Sequence, residues 1–218
     1  MPIGGGSFTV QNKVLPGAYI NFVSMGTNAK MGERGVAALP LELNWGPEGQ
    51  VFKLDAADFN ATSMKVFGYD PTDANILLVR EAMKRAKTLL IYRVNGGGTK
   101  ASATVGGMTV TAKYGGTRGN AIKVAVITNV DDATKADVVT YLDDMVMDSQ
   151  TVAKSGGAAS LVANDFVTFG TVATLAAATA TPLTGGTNAT VNAAKHTAAL
   201  TAFEVETFNV IGYPGTVE

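Results

Sequence analysis

The sequence predicts an α+β protein, in which a small α/β core unit carries an inserted β-sandwich domain and follows an extended N-terminal arm. Apolar residues recur at helical spacing over 72–86 and again over 192–206, which predicts two helices. Between them, after the glycine run at 96–98, the pattern changes to short apolar stretches separated by turn residues. Strands spaced in this way are typical of a small sandwich.

The composition is that of a folded protein and excludes several kinds of chemistry. Hydrophobic residues make up 46% of the 218 residues and charged residues only 16%, which is enough apolar material for a core. There is no cysteine, so disulfides, thiolate catalysis and thiolate metal sites are excluded. The net charge is −1, without the surplus of Lys and Arg that usually accompanies binding to nucleic acid or anionic membranes. We therefore expect no nucleic-acid partner.

No segment of the sequence predicts insertion into a membrane. The longest uncharged stretch, residues 166–194, is rich in threonine and is interrupted by glycines and a proline. A membrane helix needs about 20 mainly apolar residues, so we interpret this stretch as strands and turns. The first residues also lack the basic and apolar regions of a signal peptide.

The α/β unit is predicted before the glycine run. Its strands are expected at 35–41, 51–54 and 88–94, with a turn at 44–49. Thr72 can serve as the N-cap of the helix, and Glu81 can pair with Arg85 one turn further on. The apolar face of this helix is predicted to consist of Ile76, Val79, Met83 and Ala86.

The inserted domain is predicted from its alternation of strands and turns. Its candidate strands lie at 101–105, 108–113, 122–127, 138–142, 145–152 and 166–169. At least one of Gly115, Gly116 and Gly119 is expected to have a positive φ in the turn before the strand that begins at Ile122, because glycine adopts this conformation at little cost.

The chain is predicted to divide into four parts. These are an arm at 1–28, the first part of the α/β core at 29–96, the inserted sandwich at 97–184 and the start of a further core segment at 185–218. The last part holds a helix with Ala193, Leu200 and Phe203 on one face and a strand at 208–213. A lone strand cannot bury both faces, so we expect it to join the earlier unit or to be followed by more chain.

The arm contains the predicted assembly site. Its strand is apolar on both faces, lies near a chain end and follows a flexible glycine run at 4–6. Such a strand has to be covered, either by its own sheet or by the open sheet edge of another molecule. The residues of this strand are Ala18, Tyr19, Ile20, Asn21, Phe22 and Val23.

Two motifs favour ligand or enzyme chemistry only weakly. Gly96, Gly98 and Ala101 resemble a dinucleotide fingerprint, but this fingerprint requires a helix next, and a strand is predicted there. The single histidine, His196, has no G-x-S-x-G elbow to work with. We interpret the glycines as a linker and His196 as partly buried or interfacial.

Charged pairs and rows also have simple structural interpretations. The aspartate pairs at 131–132 and 143–144 could belong to a glycosidase, but adjacent aspartates between strands are more often turn formers. Arg80, Lys84 and Lys87 share one helix face, which is either solvated or in contact with a neighbouring protein.

Seven stretches occur in an order and spacing that extend over nearly the whole chain. They lie at 6–8, 12–22, 34–37, 45–49, 87–97, 112–120 and 183–188, and the segment AKYGGTRGN at 112–120 is the most specific. Together they resemble the N-terminal half of the contractile phage tail sheath proteins, particularly those of phages and defective prophages of Gram-positive bacteria. Members of that family are about twice as long, so the resemblance implies that the rest of the core and a C-terminal arm follow residue 213.

The resemblance implies a structural subunit that assembles helically around a tail tube and drives contraction for penetration of the cell envelope. The implied partners are neighbouring copies of the subunit and the tail tube protein. No catalytic residue, cofactor or metal is implied. The implied location is a virion tail or phage-like particle, assembled in the cytoplasm of the host bacterium.

Two other classes of function stay open on the residues alone. The first is a sandwich module that binds a surface or carbohydrate, although the only tryptophan, Trp45, lies outside the predicted sandwich. The second is a glycosidase, which would need two carboxylates facing one cleft about 5 to 9.5 Å apart.

Overall fold

The computed structural model describes residues 35–215, which form two packed parts. The strands are β1 (Val36–Leu41), β2 (Val51–Asp55), β3 (Thr88–Arg93), β4 (Ser102–Val105), β5 (Met108–Ala112), β6 (Ile122–Thr128), β7 (Lys135–Leu142), β8 (Met145–Ala153), β9 (Val167–Phe169), β10 (Ala178–Pro182) and β11 (Val210–Ile211). The α-helices are α1 (Phe59–Phe67), α2 (Leu77–Met83) and α3 (Ala193–Phe203).

The first sheet has the order β11-β1-β3-β2, in which β1 is parallel to β3 and β11 and β2 is antiparallel to β3. Every residue of β3 is buried, because helices cover both faces of this central strand. Leu89 and Ile91 pack toward α1 and α2, and Leu90 and Tyr92 pack toward α3. The last strand thus joins the sheet of the earlier unit, which was one of its two expected outcomes.

The first unit departs from the prediction in its helices. The helix expected over 72–86 is a 3-10 turn, Ala74–Ile76, followed by the shorter α2. Thr72 is not its cap, because Asp70 Oδ1 accepts hydrogen bonds from the Thr72 amide (3.0 Å) and hydroxyl (2.7 Å). Asp73 caps the 3-10 turn instead, accepting from the Asn75 amide at 2.8 Å. The apolar face is confirmed, with Ile76, Val79 and Met83 buried and Ala86 packed beside them.

Two further details of this unit were wrong or missed. Glu81 pairs with Lys84 (2.7 Å) and Arg80 (3.6 Å) in place of the expected Arg85, because the helix ends at Met83 and places Lys84 closer.

Helix α1 was not predicted at all. Its buried residues, Phe59, Ser63 and Phe67, recur every fourth residue, but polar and β-branched residues of low helix propensity lie between them.

The second part is a sandwich of two antiparallel sheets with the orders β10-β6-β7-β8 and β4-β5-β9. Alternate residues of its strands face a common core, as Ile122, Val124 and Val126 do on β6. The six predicted strands are present, and β10 is an additional strand within the stretch interpreted as strands and turns.

Positive φ angles mark the turns of the sandwich. Gly116 has φ +138°, as expected for one of the three glycines before β6. Asp143 and Asp144, with φ of +50° and +66°, form the two-residue turn between β7 and β8. Such a turn twists in the same sense as the strands that it joins, so the interpretation of this aspartate pair as a turn former is confirmed.

Helix α3 lies close to its predicted position but is rotated. The Asn192 side chain caps it by accepting a hydrogen bond from the Lys195 amide at 3.1 Å. Its buried residues are Ala199 and Phe203, whereas the predicted Ala193 and Leu200 are exposed. Ala199 and Phe203 share a buried cluster with Ala38, Leu90 and Tyr92 of the sheet, and the Phe203 ring lies edge-on to Tyr92 with 6.4 Å between centroids. Among residues 35–215, no helix is both long and apolar enough to cross a bilayer.

Candidate functional site

The chain passes between the first sheet and the sandwich in two segments, residues 94–101 on the way out and 183–192 on the way back. The loop between β1 and β2 reaches the same place. We call this meeting point the junction; it consists of residues 43–48, 93–99, 115–120 and 184–189. The most specific of the recognised segments, 112–120, lies here, and so does the segment 183–188.

Arg93 is the centre of the junction. It is the last residue of β3 and is only 1% exposed. Its Nη1 donates to the carbonyl oxygens of Gly115 (2.7 Å) and Gly46 (3.2 Å). Its Nε donates to Asn95 Oδ1 (3.2 Å), and its Nη2 donates to Asn188 Oδ1 (3.3 Å). One guanidinium therefore joins the β1–β2 loop, both connecting segments and the sandwich.

The acceptors of Arg93 are neutral oxygens, which makes its environment unusual for a buried cation. Burial lowers the pKa of the Arg93 guanidinium, and the negative charge of Glu48 offsets part of this effect. A guanidinium nevertheless stays protonated in proteins. The hydrogen bonds to it are charge-assisted and stronger than those between neutral groups. Arg93 can thus fix the junction firmly without a carboxylate in direct contact.

Four asparagine side chains extend this network. Asn95 Oδ1 also accepts from the Leu43 amide at 2.9 Å, which ties the start of the outgoing segment to the end of β1. Asn188 donates from Nδ2 to Asn44 Oδ1 at 2.8 Å. Asn120 forms a reciprocal pair with Gly186, accepting from its amide (2.8 Å) and donating to its carbonyl (2.9 Å). Among residues 35–215, no buried side-chain nitrogen or oxygen lacks a hydrogen-bond partner.

Glycines let the backbones of the junction approach one another closely. A Cβ on Gly116 would lie 2.1 Å from the carbonyl oxygen of Asn44, and a Cβ on Gly98 would lie 1.8 Å from that of Thr187. Neither distance is sterically possible. The glycines that looked like a dinucleotide fingerprint thus serve backbone packing, and they lead into strand β4, where the fingerprint requires a helix.

The linker glycines are also held by side chains from both ends of the first unit. Glu48 accepts a hydrogen bond from the Gly97 amide at 2.6 Å, and Lys195 at the start of α3 donates to the Gly96 carbonyl at 2.9 Å. Thr99 and Thr187 face each other, with 2.7 Å between their hydroxyl oxygens. The segments that leave and re-enter the first unit are therefore bonded side by side.

Trp45 carries apolar packing across the junction. It belongs by sequence to the β1–β2 loop, yet it is 1% exposed and lies in the core of the sandwich. Its ring packs edge-on to Tyr114 (centroids 5.3 Å apart) and stacks on Phe166 (6.4 Å). Trp45 lies outside the sandwich in the sequence but inside its core in the structure, because the β1–β2 loop inserts into the neighbouring domain. The sequence argument that placed it outside was therefore wrong.

Helix α1 forms a second contact with the sandwich. Lys65 Nζ lies 3.0 Å from Asp165 Oδ2, and Met64 packs against the core of the sandwich. The hydrogen bond from Lys65 is the main reason that the pKa of Asp165 is lowered, and Lys113 adds to the effect. The helix that the sequence did not predict thus helps to orient the sandwich.

The other residues singled out by sequence have structural surroundings. His196 is half-buried, as expected, with its ring edge-on to Tyr213 at 5.4 Å between centroids. Asp132 accepts from the Thr134 amide (3.0 Å) and hydroxyl (2.5 Å) in a turn, so this aspartate is a turn former. Of the three basic residues predicted on one helix face, Arg80 donates a hydrogen bond to the Thr72 carbonyl at 2.6 Å. The predicted assembly strand, Ala18 to Val23, lies outside the described residues.

The arrangement within residues 35–215 is suited to holding two domains together. In that part of the chain, no group of three or more histidine and acidic side chains is placed to bind a metal ion. Arg93 was not predicted as a central residue. The available signal was a single charged residue at the end of the otherwise uncharged, mostly apolar run at 88–94.

Comparison with protein-family models gives two matches. The model described as the N-terminal region of domain III of tail sheath protein Gp18 matches residues 34–94. The model described as the β-sandwich domain of phage tail sheath protein matches residues 96–188. Together these two models match more than half of the chain.

Two curated relatives come from Bacillus subtilis (strain 168). The phage-like element PBSX protein XkdK is 37% identical, and the uncharacterized protein YqbK is 38% identical. Each alignment covers 97% of this chain and 48% of the relative. The chain thus spans about half the length of the curated relatives that it matches.

Two solved structures have the same fold. The sheath tail protein from Desulfitobacterium hafniense is 42% identical, with a TM-score of 0.79, and the match covers 93% of this chain and 46% of that protein. The sheath tail protein from Listeria innocua is 38% identical, with a TM-score of 0.75 over 86% of this chain and 42% of that protein.

Proposed function

Since this chain belongs to the phage tail sheath family, we propose that it forms the N-terminal half of a structural subunit that assembles helically around a tail tube and drives contraction for penetration of the cell envelope. The observation that carries the proposal is the likeness to the Desulfitobacterium sheath tail protein, at 42% identity and a TM-score of 0.79 over 93% of this chain. Covalent chemistry by the chain is not part of this proposed role.

As part of this proposal, the chain assembles with further copies of the subunit around a tail, in a virion or phage-like particle; membership of the sheath family and the likeness to a phage-like element protein support this. Direct contact with the tail tube protein and assembly in the host cytoplasm are part of the proposal. A contact in which one patch binds a different patch on the next copy generates a helix or a ring. The hydrogen bonds of the junction join the first sheet to the sandwich, which supports a role of both parts within one subunit of such an assembly.

We further propose that the chain has the four parts predicted from its sequence, with the core at 185–218 continuing into the remaining half of the subunit. The exposed edge of the first sheet supports this proposal. Val210 and Ile211 of β11 are 58% and 42% exposed. An apolar groove beside them is lined by Val36, Ala37 and Ala82. Further strands or helices of the core would bury this edge.

The arm strand, Ala18 to Val23, is proposed to add to a sheet of a neighbouring subunit. Each backbone hydrogen bond of such an added strand contributes about 1 kcal/mol net. Several together can hold two copies in contact while the domains move. The support for this role is the two-sided apolar pattern of the strand and its place behind a glycine run.

Electron microscopy tests the proposed function directly. A protein of the relatives' length that contains this chain is expected to form tubes or rings. Deletion of residues 1–23 from that protein is expected to leave a folded monomer with an unchanged circular dichroism spectrum and to abolish tube formation. Normal tubes from the deletion variant would contradict the role of the arm, whereas a full-length protein that never assembles would contradict the sheath role itself.

The alternative of a carbohydrate-binding sandwich has no specific observation in its favour. Such modules stack sugars on exposed aromatic rings. Trp45 and Phe166, which lie together in the sandwich, are 1% and 5% exposed. These rings fill the core and offer no surface for a sugar.

A further inference from the structure

Arg118 lies in the 3-10 turn Thr117–Ala121 before β6, and its side chain touches both the sandwich and the first unit. Its Nε donates a hydrogen bond of 2.7 Å to the carbonyl oxygen of Gly68, the residue that ends α1. Its guanidinium also lies over the Tyr69 ring, 4.3 Å from the centroid. This cation therefore docks the sandwich on the C-terminal end of α1, where the helix dipole favours positive charge.

Gly68 leaves the space that this contact needs. It has φ +74°, and a Cβ added to it would lie 2.9 Å from Arg118 Cγ. A glycine in this left-handed conformation is a common helix end. Here it also lets the arginine stem lie directly on the chain. The contact thus depends on both the conformation and the small size of residue 68.

Asp143 holds the other side of the Arg118 guanidinium. Nη1 donates to Asp143 Oδ1 at 2.9 Å, and Nη2 donates to Asp143 Oδ2, so the pair is bidentate. A bidentate pair fixes the plane of a guanidinium as well as its position. Asp143 and Arg118 both belong to the sandwich, so their pairing is not itself a contact between the two parts. It holds the Arg118 guanidinium in the orientation in which Nε reaches the Gly68 carbonyl of the first unit.

The neighbouring residue provides a contrast. Asp144 also has a positive φ in the same turn, and its carboxylate pairs with Lys123 Nζ at 2.6 Å, wholly within the sandwich. Two residues of the same type and similar conformation thus differ in one respect. The partner of Asp143 reaches the first unit, whereas the partner of Asp144 does not.

We propose that Asp143 is a positioning residue, which holds Arg118 against the end of α1 and thereby fixes the angle between the sandwich and the first sheet. The Asp143 side chain is 54% exposed and that of Arg118 is 11% exposed. Salt therefore screens this pair, whereas it leaves the hydrogen bonds of buried Arg93 largely intact. In this proposal, Arg93 attaches the sandwich to the first sheet, and the Arg118–Asp143 pair sets the angle between them.

Electron spin resonance distance measurement on this chain tests the proposal. The sequence has no cysteine, so labels attach only at introduced positions. Lys53→Cys on β2 and Val130→Cys on the β6–β7 loop are both exposed, and they lie on the first sheet and on the sandwich respectively. We expect one narrow distance distribution, which broadens when Asp143→Asn is introduced. Asparagine has the same shape and tolerates positive φ, so the turn itself should persist.

The control is Asp144→Asn, which makes the same chemical change one residue away and should leave the distribution narrow. Arg118→Gln should reproduce the effect of Asp143→Asn, with circular dichroism confirming that both variants are folded. The proposal is overturned if Asp143→Asn and Arg118→Gln stay narrow while folded, or if Asp144→Asn broadens the distribution equally.

Discussion

Lys65 Nζ lies 3.0 Å from Asp165 Oδ2, so an ion pair joins α1 of the first unit to the loop before β9 of the sandwich. The two side chains are 61% and 44% exposed, and exposed pairs contribute little stability at neutral pH. The pair nevertheless links the two domains at a point remote in sequence from both connecting segments. Its effect should be visible through its dependence on pH.

The Asp165 pair predicts a loss of stability in acid. The pKa of Asp165 is lowered in the folded protein, mainly by the hydrogen bond from Lys65. A carboxyl with a lowered folded pKa contributes stability above its unfolded pKa, about 3.9, and this contribution is lost as pH falls through the folded value. The free energy of unfolding should therefore fall less between about pH 5 and pH 2 in Asp165→Asn than in the parent chain. Urea titrations at several pH values measure this.

The control for the acid experiment is Glu204→Gln, which removes an exposed carboxylate from the end of α3. Its pH profile is expected to follow the parent chain more closely than that of Asp165→Asn does. Identical pH profiles for the parent chain and Asp165→Asn would contradict the prediction.

Arg93→Ala should be strongly destabilising. The change removes four hydrogen bonds and leaves the buried oxygens of Gly46, Gly115 and Asn95 and the partly buried Asn188 Oδ1 with fewer donors. Each buried polar group left unsatisfied costs about 1–3 kcal/mol. We expect a loss of at least about 2 kcal/mol. Arg93→Lys should recover only part of this loss, since a lysine cannot reproduce the fork of a guanidinium.

The matched control for Arg93 is Arg85→Ala, which removes an exposed arginine that follows α2. Substitutions of this kind usually change stability by less than about 0.5 kcal/mol. Chemical unfolding followed by fluorescence of the single tryptophan, which lies at the junction, measures both variants. A stable Arg93→Ala protein would mean that the junction is held by other contacts.

Gly116→Ala combines steric crowding with backbone strain. The new Cβ would meet the Asn44 carbonyl oxygen at 2.1 Å, and φ at this position is +138°. Gly156, in the left-handed region at φ +71°, has no atom within 4 Å of an added Cβ, so Gly156→Ala introduces a milder backbone strain without crowding. Strain of this kind costs about 1–3 kcal/mol. We expect a clearly lower midpoint of thermal unfolding for Gly116→Ala than for Gly156→Ala, and equal midpoints would contradict the claim that residue 116 must be glycine.

Trp45→Ala should destabilise the sandwich although residue 45 belongs to a loop of the first unit. Truncating a buried tryptophan usually costs about 3–5 kcal/mol. Tyr213→Ala, which truncates an aromatic ring that is 57% exposed, serves as the control and should cost much less. Hydrogen exchange of β5 and β6 amides gives the local readout. Unchanged protection of these strands in Trp45→Ala would show that the sandwich core does not depend on the loop.

The strands of the sandwich were predictable because their residues alternate and their turns contain glycine or aspartate pairs. Helix α1 was not, because its apolar face consists of only Phe59 and Phe67 with Ser63 between them, and Asn60, Thr62 and Val66 have low helix propensity. The rotation of α3 depends on the packing of Ala199 and Phe203 against the sheet, which is a tertiary contact that local periodicity cannot predict.

The candidate site divides in the same way. The segments that meet at the junction were recognised from sequence, but their meeting was not predicted. The Arg93 network joins residues as far apart as Asn44 and Asn188, and such pairings depend on the complete fold. The arm strand at 18–23 and the four-part division of the chain stay predictions.

The side-by-side pairing of Thr99 and Thr187 has a consequence for exchanging modules between proteins. To the rest of the chain, the whole segment between these residues is equivalent to a short loop, because it starts and ends at nearly the same point. Domains whose termini lie close together are well tolerated as insertions. Another module with adjacent termini could be grafted between these threonines. It would have to supply an acceptor where the Gly115 carbonyl binds Arg93 and aromatic rings where Tyr114 and Phe166 pack on Trp45. A replacement module must therefore supply the contacts that Arg93 and Trp45 of the first unit make with the present sandwich.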